Sequence, residues 1–114
     1  LFGARTPVEV LYADEFRAFA AATPGFRFHP CLSREGSAQP HPDERRGRVQ
    51  AMLAELAPDP ARDIAYLCGN PEMVDACFGV LKDAGLPVPA IRREKYVSPP
   101  DPKGRSAGLA VVSE

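Results

Sequence analysis

The chain is poor in the residues that build metal centres and disulfide frameworks. Its three cysteines, Cys31, Cys68 and Cys77, are an odd number and include no CxxC pair. That argues against a disulfide scaffold or a zinc site, and makes a reducing cytosol the simpler setting. The two histidines, His29 and His41, lack metal-ligand spacing, so no metal is expected. No apolar run approaches the length of a membrane span, and no signal peptide is visible. The net charge is only −1, which implies no bulk attraction to nucleic acid or to an anionic membrane. The absences leave a cytoplasmic globular protein. Any anion site in it has to be made from local arginines.

What is present suits one modest domain: 114 residues, 45% of them apolar, without internal repeats. The prolines gather in loops and in the tail. Leu1-Phe2-Gly3 reads as a strand already under way, which suggests a piece of a longer protein.

The chain is organised around Ile64-Ala65-Tyr66-Leu67-Cys68-Gly69-Asn70-Pro71-Glu72-Met73. Its apolar start, without polar alternation, reads as a strand buried on both faces. Gly69 ends the strand and permits close approach of the backbone. Asn70 is a good N-cap, Pro71 suits the first helical position, and Glu72 complements the helix dipole. A helix then runs to Ala84, with Gly85 as its stop. In open α/β sheets ligands bind at such a strand-to-helix turn. Cys68 would sit at the strand tip, either as an ordinary buried thiol or beside a bound flat ring.

Upstream, Leu1-Phe2 reads as the end of a strand, and Thr6-Pro7-Val8-Glu9 as a capping box opening a helix to about Ala22. Val8, Leu11, Tyr12, Phe16 and Phe19 fall on one helical face, expected to be core. Phe26 to Leu32 alternates as a strand does. Within it, His29 is expected to be structural. Residues 36 to 47 are a polar loop whose charge run is expected to be a solvated face. Arg48 to Leu56 reads as a short helix with Val49, Met52, Leu53 and Leu56 inward. In the next helix Val74, Cys77, Phe78 and Leu81 form the apolar face. Ile91 to Val97 reads as a last strand. The tail, 99–114, is rich in Pro, Gly and Ser; Leu109 to Val112 within it fits either a small strand or a disordered segment. The alternation of strands and helices calls for a parallel sheet with helices on both faces, an α/β fold.

Four pieces together resemble the nucleotide-binding domain of the ferredoxin–NADP reductase family. They are Gly3-Ala4-Arg5 before a capped helix, Phe26-Arg27-Phe28 leading to Ser33-Arg34-Glu35, Tyr66 to Pro71 with Met73, and Glu94-Lys95-Tyr96-Val97-Ser98. The resemblance covers residues 1–98, a partial NAD(P)-binding domain. It implies a Rossmann-like three-layer α/β/α fold with a mostly parallel sheet in the order 3-2-1-4-5. The four strands here would be the second to fifth, which leaves the central first strand and its phosphate-cradling loop unaccounted for. It also implies NADP(H) and FAD as cofactors, the FAD being held mainly by a β-barrel domain that this sequence does not contain. Hydride would pass between nicotinamide and flavin, and electrons would then leave to a ferredoxin, a flavodoxin or an oxygenase component.

Residue by residue, the resemblance places Cys68 beside the nicotinamide, with Gly69, Asn70, Pro71 and Met73 shaping that pocket. Glu94 and Tyr96 match the Glu-x-aromatic ending whose ring covers the flavin. Ser33 and Arg34 match the holders of the 2′-phosphate, where a guanidinium fork suits a dianion. Arg48 and Arg5 resemble further bacterial arginines of that site, and Gln50 an adenine contact. These arginines favour NADPH over NADH. Two alternatives stand beside this reading: an NADH-using reductase component of an oxygenase system, and a non-catalytic nucleotide-binding or interaction module.

Overall fold

The computed structural model describes residues 1–96 and the backbone of a strand at 108–113. Among the described residues, three α-helices and six strands follow one another as β1 (Phe2–Ala4), α1 (Ala13–Ala22), β2 (Pro30–Leu32), β3 (Arg45–Arg46), α2 (Val49–Glu55), β4 (Ile64–Gly69), α3 (Pro71–Asp83), β5 (Ile91–Lys95) and β6 (Gly108–Ser113). They form one sheet in the order β3-β2-β1-β6-β4-β5. β1, β2 and β3 pair in parallel, as do β4 and β5; β6 lies between the two groups, antiparallel to β1 and to β4. The four expected strands therefore stand in the expected order, and the central place between β1 and β4 is taken by the strand at 108–113. The expected ending Val97-Ser98 lies outside the described residues, as does the tail as far as residue 107.

α3 forms for the reasons its sequence gives. The Asn70 side chain accepts a hydrogen bond from the Met73 amide at 2.8 Å, and Pro71 occupies the first turn. At the other end Gly85 takes φ +97°, the left-handed conformation that glycine adopts without strain. The Gly85 amide donates to the Lys82 carbonyl and the Leu86 amide to the Leu81 carbonyl, a Schellman closure. α2 and α3 pack on each other. Val49 and Leu53 from α2 meet Val74, Cys77 and Leu81 from α3 over Cys31, Ala65, Leu67 and Ile91 of the sheet, all buried. This is the core. Leu56, expected inward, is exposed at the end of α2.

Three expectations are corrected. First, the segment after Thr6 is not one helix. Pro7–Glu9 is a single 3-10 turn, and Tyr12, at φ +58°, breaks the path before α1 begins. The apolar stripe is therefore split and does not enter the core: Val8 is 90% exposed, Phe19 53%, and Leu11 and Tyr12 are exposed too. Phe16 alone of the stripe is held inward, stacked on Phe28 at 5.0 Å, while Phe19 meets Phe26 edge-on at 4.8 Å. Second, β2 is only Pro30–Leu32, shorter than the alternation predicted. Third, β4 is not buried on both faces. Ala65, Leu67 and Gly69 are buried, but Ile64 and Tyr66 are exposed and Cys68 is half-buried. Strand alternation puts these three on the face opposite α3.

The charge run at 43–46 is more than a solvated surface. Arg45 and Arg46 add a short parallel strand to the sheet edge, and Arg17 of α1 grips Asp43 with a two-pronged contact at 2.8 and 3.2 Å. His29 is structural: its Nδ1 lies 2.9 Å from the Asp43 carbonyl oxygen.

Candidate functional site

A cavity of about 480 Å³ opens at the carboxyl ends of β1 and β2 and beside the start of α3. Seven residues singled out in the sequence line it: Arg5, Ser33, Arg34, Arg48, Gln50, Asn70 and Met73. They arrive from four separate segments of the chain. Arg5 follows β1, Ser33 and Arg34 follow β2, and Arg48 and Gln50 stand at the start of α2. Asn70 caps α3 and Met73 belongs to its first turn, where the helix dipole favours negative charge. The backbone ties these turns together. The Ser33 amide donates to the Ala4 carbonyl, and both Arg34 and Glu35 amides donate to the Arg5 carbonyl, each at 3.0 Å.

The arginines are not equivalent. Arg5 is bound at home: its amide donates to Glu9 Oε2 at 3.0 Å, and its guanidinium pairs with Glu9 Oε1 at 3.4 Å. The Thr6 amide shares the same carboxylate at 3.1 Å. Glu9 was read from the sequence only as part of a capping box; the four-residue spacing from Arg5 was the signal for the ion pair. Arg34 and Arg48 are exposed, and among the described residues neither has an ion pair. The sequence also missed Glu72, which lines the cavity beside Asn70, and Cys31, which closes it from the core side.

Cys68, Gly69, Pro71, Glu94 and Tyr96 do not line that cavity. Four of them form a second group at the ends of β4 and β5. Cys68 pairs in register with Glu94, and the Tyr96 amide donates to the Gly69 carbonyl at 2.7 Å. That turn brings the Tyr96 hydroxyl to 3.1 Å from the Cys68 sulfur. The Tyr96 phenol is pushed above its ordinary value, first by this hydrogen bond and then by the charge that Cys68 would carry. Gly69, at φ +149°, holds a backbone shape that side-chain-bearing residues rarely adopt. It leads straight into Asn70, so the two groups meet at the Gly69-Asn70 step. The arrangement offers a polar, cationic hollow on one side of that step and a thiol–phenol pair on the other.

The described residues contain no cluster of metal-ligating side chains, and no described helix is long and apolar enough to cross a membrane.

The class follows from comparison with known proteins. The Oxidoreductase NAD-binding domain family matches residues 1–78. The chain belongs to this family: it is the NAD(P)-binding module of ferredoxin–NADP reductase-type flavin oxidoreductases. Among individual relatives, it is 36% identical over 102 residues to the reductase component of propane 2-monooxygenase from Rhodococcus jostii, covering 86% of this chain and 27% of that protein. It is 34% identical over 104 residues to ferredoxin–NADP reductase B of Sorangium cellulosum, covering 84% of this chain and 41% of that one. Among solved structures, the Amycolatopsis cytochrome P450 reductase GcoB superposes with a TM-score of 0.66 at 32% identity, over 82% of this chain and 27% of that one. The chain thus spans between about a quarter and two-fifths of these proteins.

Proposed function

We propose that this chain is the coenzyme-binding part of an NADPH-dependent FAD oxidoreductase. One observation carries the coenzyme choice: Arg34 and Arg48, free of ion pairs among the described residues, share a cavity with Ser33, Arg5 and the first turn of α3. A 2′-phosphate carries nearly two charges and several acceptor oxygens, and a guanidinium pair beside a hydroxyl matches it. In this reading Ser33, Arg34 and Arg48 hold that phosphate, Arg5 supports it, and Gln50 contacts the adenine. Gly69, Asn70, Pro71 and Met73 shape the nicotinamide end. Cys68 lies beside the ring as a small polarisable group, while Glu94 and Tyr96 border the flavin side. The bound coenzyme supplies hydride chemistry; the chain's own residues orient it and screen it from water. FAD would be held by a separate domain, and the electrons would pass to a ferredoxin, a flavodoxin or an oxygenase component.

The test is a calorimetric comparison of NADP⁺ and NAD⁺. Charge-assisted hydrogen bonds contribute about 1.5–3 kcal/mol each. Removing both guanidinium groups in an Arg34→Ala/Arg48→Ala chain should therefore cost NADP⁺ at least about tenfold in affinity and leave NAD⁺ within about twofold. Equal losses for the two coenzymes would discard the 2′-phosphate assignment.

A second reading keeps the module and changes the coenzyme: the NADH-using reductase component of an oxygenase system. Similarity to a propane 2-monooxygenase reductase component favours it. An unsubstituted chain that binds NAD⁺ more tightly than NADP⁺ would decide for it.

A further inference from the structure

We propose that Arg46 and Gly36 determine coenzyme specificity by fixing the turn that carries Arg34; this rests on the 2′-phosphate reading above. Ser33, Arg34 and Glu35 are exposed, and a charged side chain on a loose exposed turn loses freedom when it binds. The structure reduces that freedom beforehand. Arg46 sits on β3, directly paired with Leu32 of β2. Its guanidinium reaches back and donates to the Arg34 carbonyl at 2.9 Å. It passes through the space that Gly36 leaves by having no side chain: a Cβ on Gly36 would collide with the Arg46 guanidinium. The far side of the turn is held as well, since the Ser37 amide donates to Glu44 Oε1 at 3.0 Å. The near side is held by the Arg34 and Glu35 amides on the Arg5 carbonyl.

Arg46 is not among the residues lining the cavity. It acts on the coenzyme through Arg34, so it is a positioning residue. The Arg46 guanidinium closes a short bridge between the β3 edge and the 33–37 turn, and the glycine is what lets it pass.

Two substitutions separate this from a loss of charge or of fold. Arg46→Ala removes the bridge together with its charge. Gly36→Ala keeps every charge; its Cβ displaces the flexible end of Arg46 and presses more lightly on Glu44 Oε1, which holds the same turn. Gly36 has no left-handed φ to be strained by the change. With the full chain, NADP⁺ and NAD⁺ affinities are measured by calorimetry for both variants, alone and on an Arg34→Ala background. The expected result is a three- to tenfold weakening of NADP⁺ in each single variant, with NAD⁺ unchanged, and no further loss when Arg34 is already alanine. A Gly36→Ala chain that binds NADP⁺ as the parent does would overturn the proposal. So would an Arg46→Ala loss that persists in full without Arg34, since Arg46 would then touch the phosphate itself. If the parent chain shows no 2′-phosphate preference, or Arg34→Ala weakens both coenzymes alike, the functional reading fails first and this inference falls with it.

Discussion

Two neighbouring residues on β4 should respond very differently to truncation. Leu67 is 2% exposed and lies in the core under α3, whereas Tyr66, one residue earlier, is 53% exposed on the opposite face. Leu67→Ala removes buried apolar surface and leaves a cavity between the sheet and α3. Core truncations of this kind cost about 2–5 kcal/mol, a large share of the roughly 5–15 kcal/mol that holds a domain together. Tyr66→Ala gives up contact over about half a side chain, worth on the order of 1 kcal/mol with the lost strand preference included. Urea unfolding followed by circular dichroism measures both. At about 1–3 kcal/mol per molar urea, Leu67→Ala should lower the midpoint by about 1–2 M, and Tyr66→Ala by no more than about half of that. Equal shifts, or a larger one for Tyr66, would refute a sheet covered on one face at this strand.

Three other outcomes follow from the structure. Cys31 and Cys77 are sealed in the core, and burial pushes both thiols up to about 11; a thiol reagent near neutral pH should label Cys68 quickly and the other two only after denaturation. Because those two buried thiols keep their protons past pH 9.0, the value of an unperturbed cysteine, while the unfolded chain loses them, stability should fall as pH climbs from there towards about 11. Asn70→Ala removes the acceptor of the Met73 amide and should cost about 1 kcal/mol in a denaturation series; an unchanged midpoint would show that the cap is idle.

The stretch from Ile64 to Gly85 was legible because each local signal agrees with its neighbours: glycine at the strand end, Asn70 and Pro71 at the helix start, Gly85 at its stop. The cavity was legible in its members, since Arg5, Ser33, Arg34, Arg48, Gln50, Asn70 and Met73 do converge. What spacing could not reveal was conformation set by a single residue. The stripe from Val8 to Phe19 has helical periodicity, yet the left-handed Tyr12 cuts it and leaves most of it in solvent. β4 looked uniformly apolar, and its letters do not say that Ile64 and Tyr66 are left exposed on one face. β3 is only two arginines long, too short for any pattern; its role rests on the register with β2 and on the reach of the Arg46 side chain.

The reversed strand in the middle of the sheet bears on how the chain assembles. Between β1–β2–β3 and β4–β5, every backbone hydrogen bond of the sheet runs through Gly108–Ser113, which follows all the other strands in sequence. Phe2 finds its partner at Leu109, far away in sequence, and such distant pairings are slow to form. Each half-sheet can gather early around its own local crossover, and the packing of α2 on α3 can bring the halves together. Contact order therefore predicts that this seam forms more slowly than the local pairings on either side of it, an order that hydrogen exchange during refolding would read.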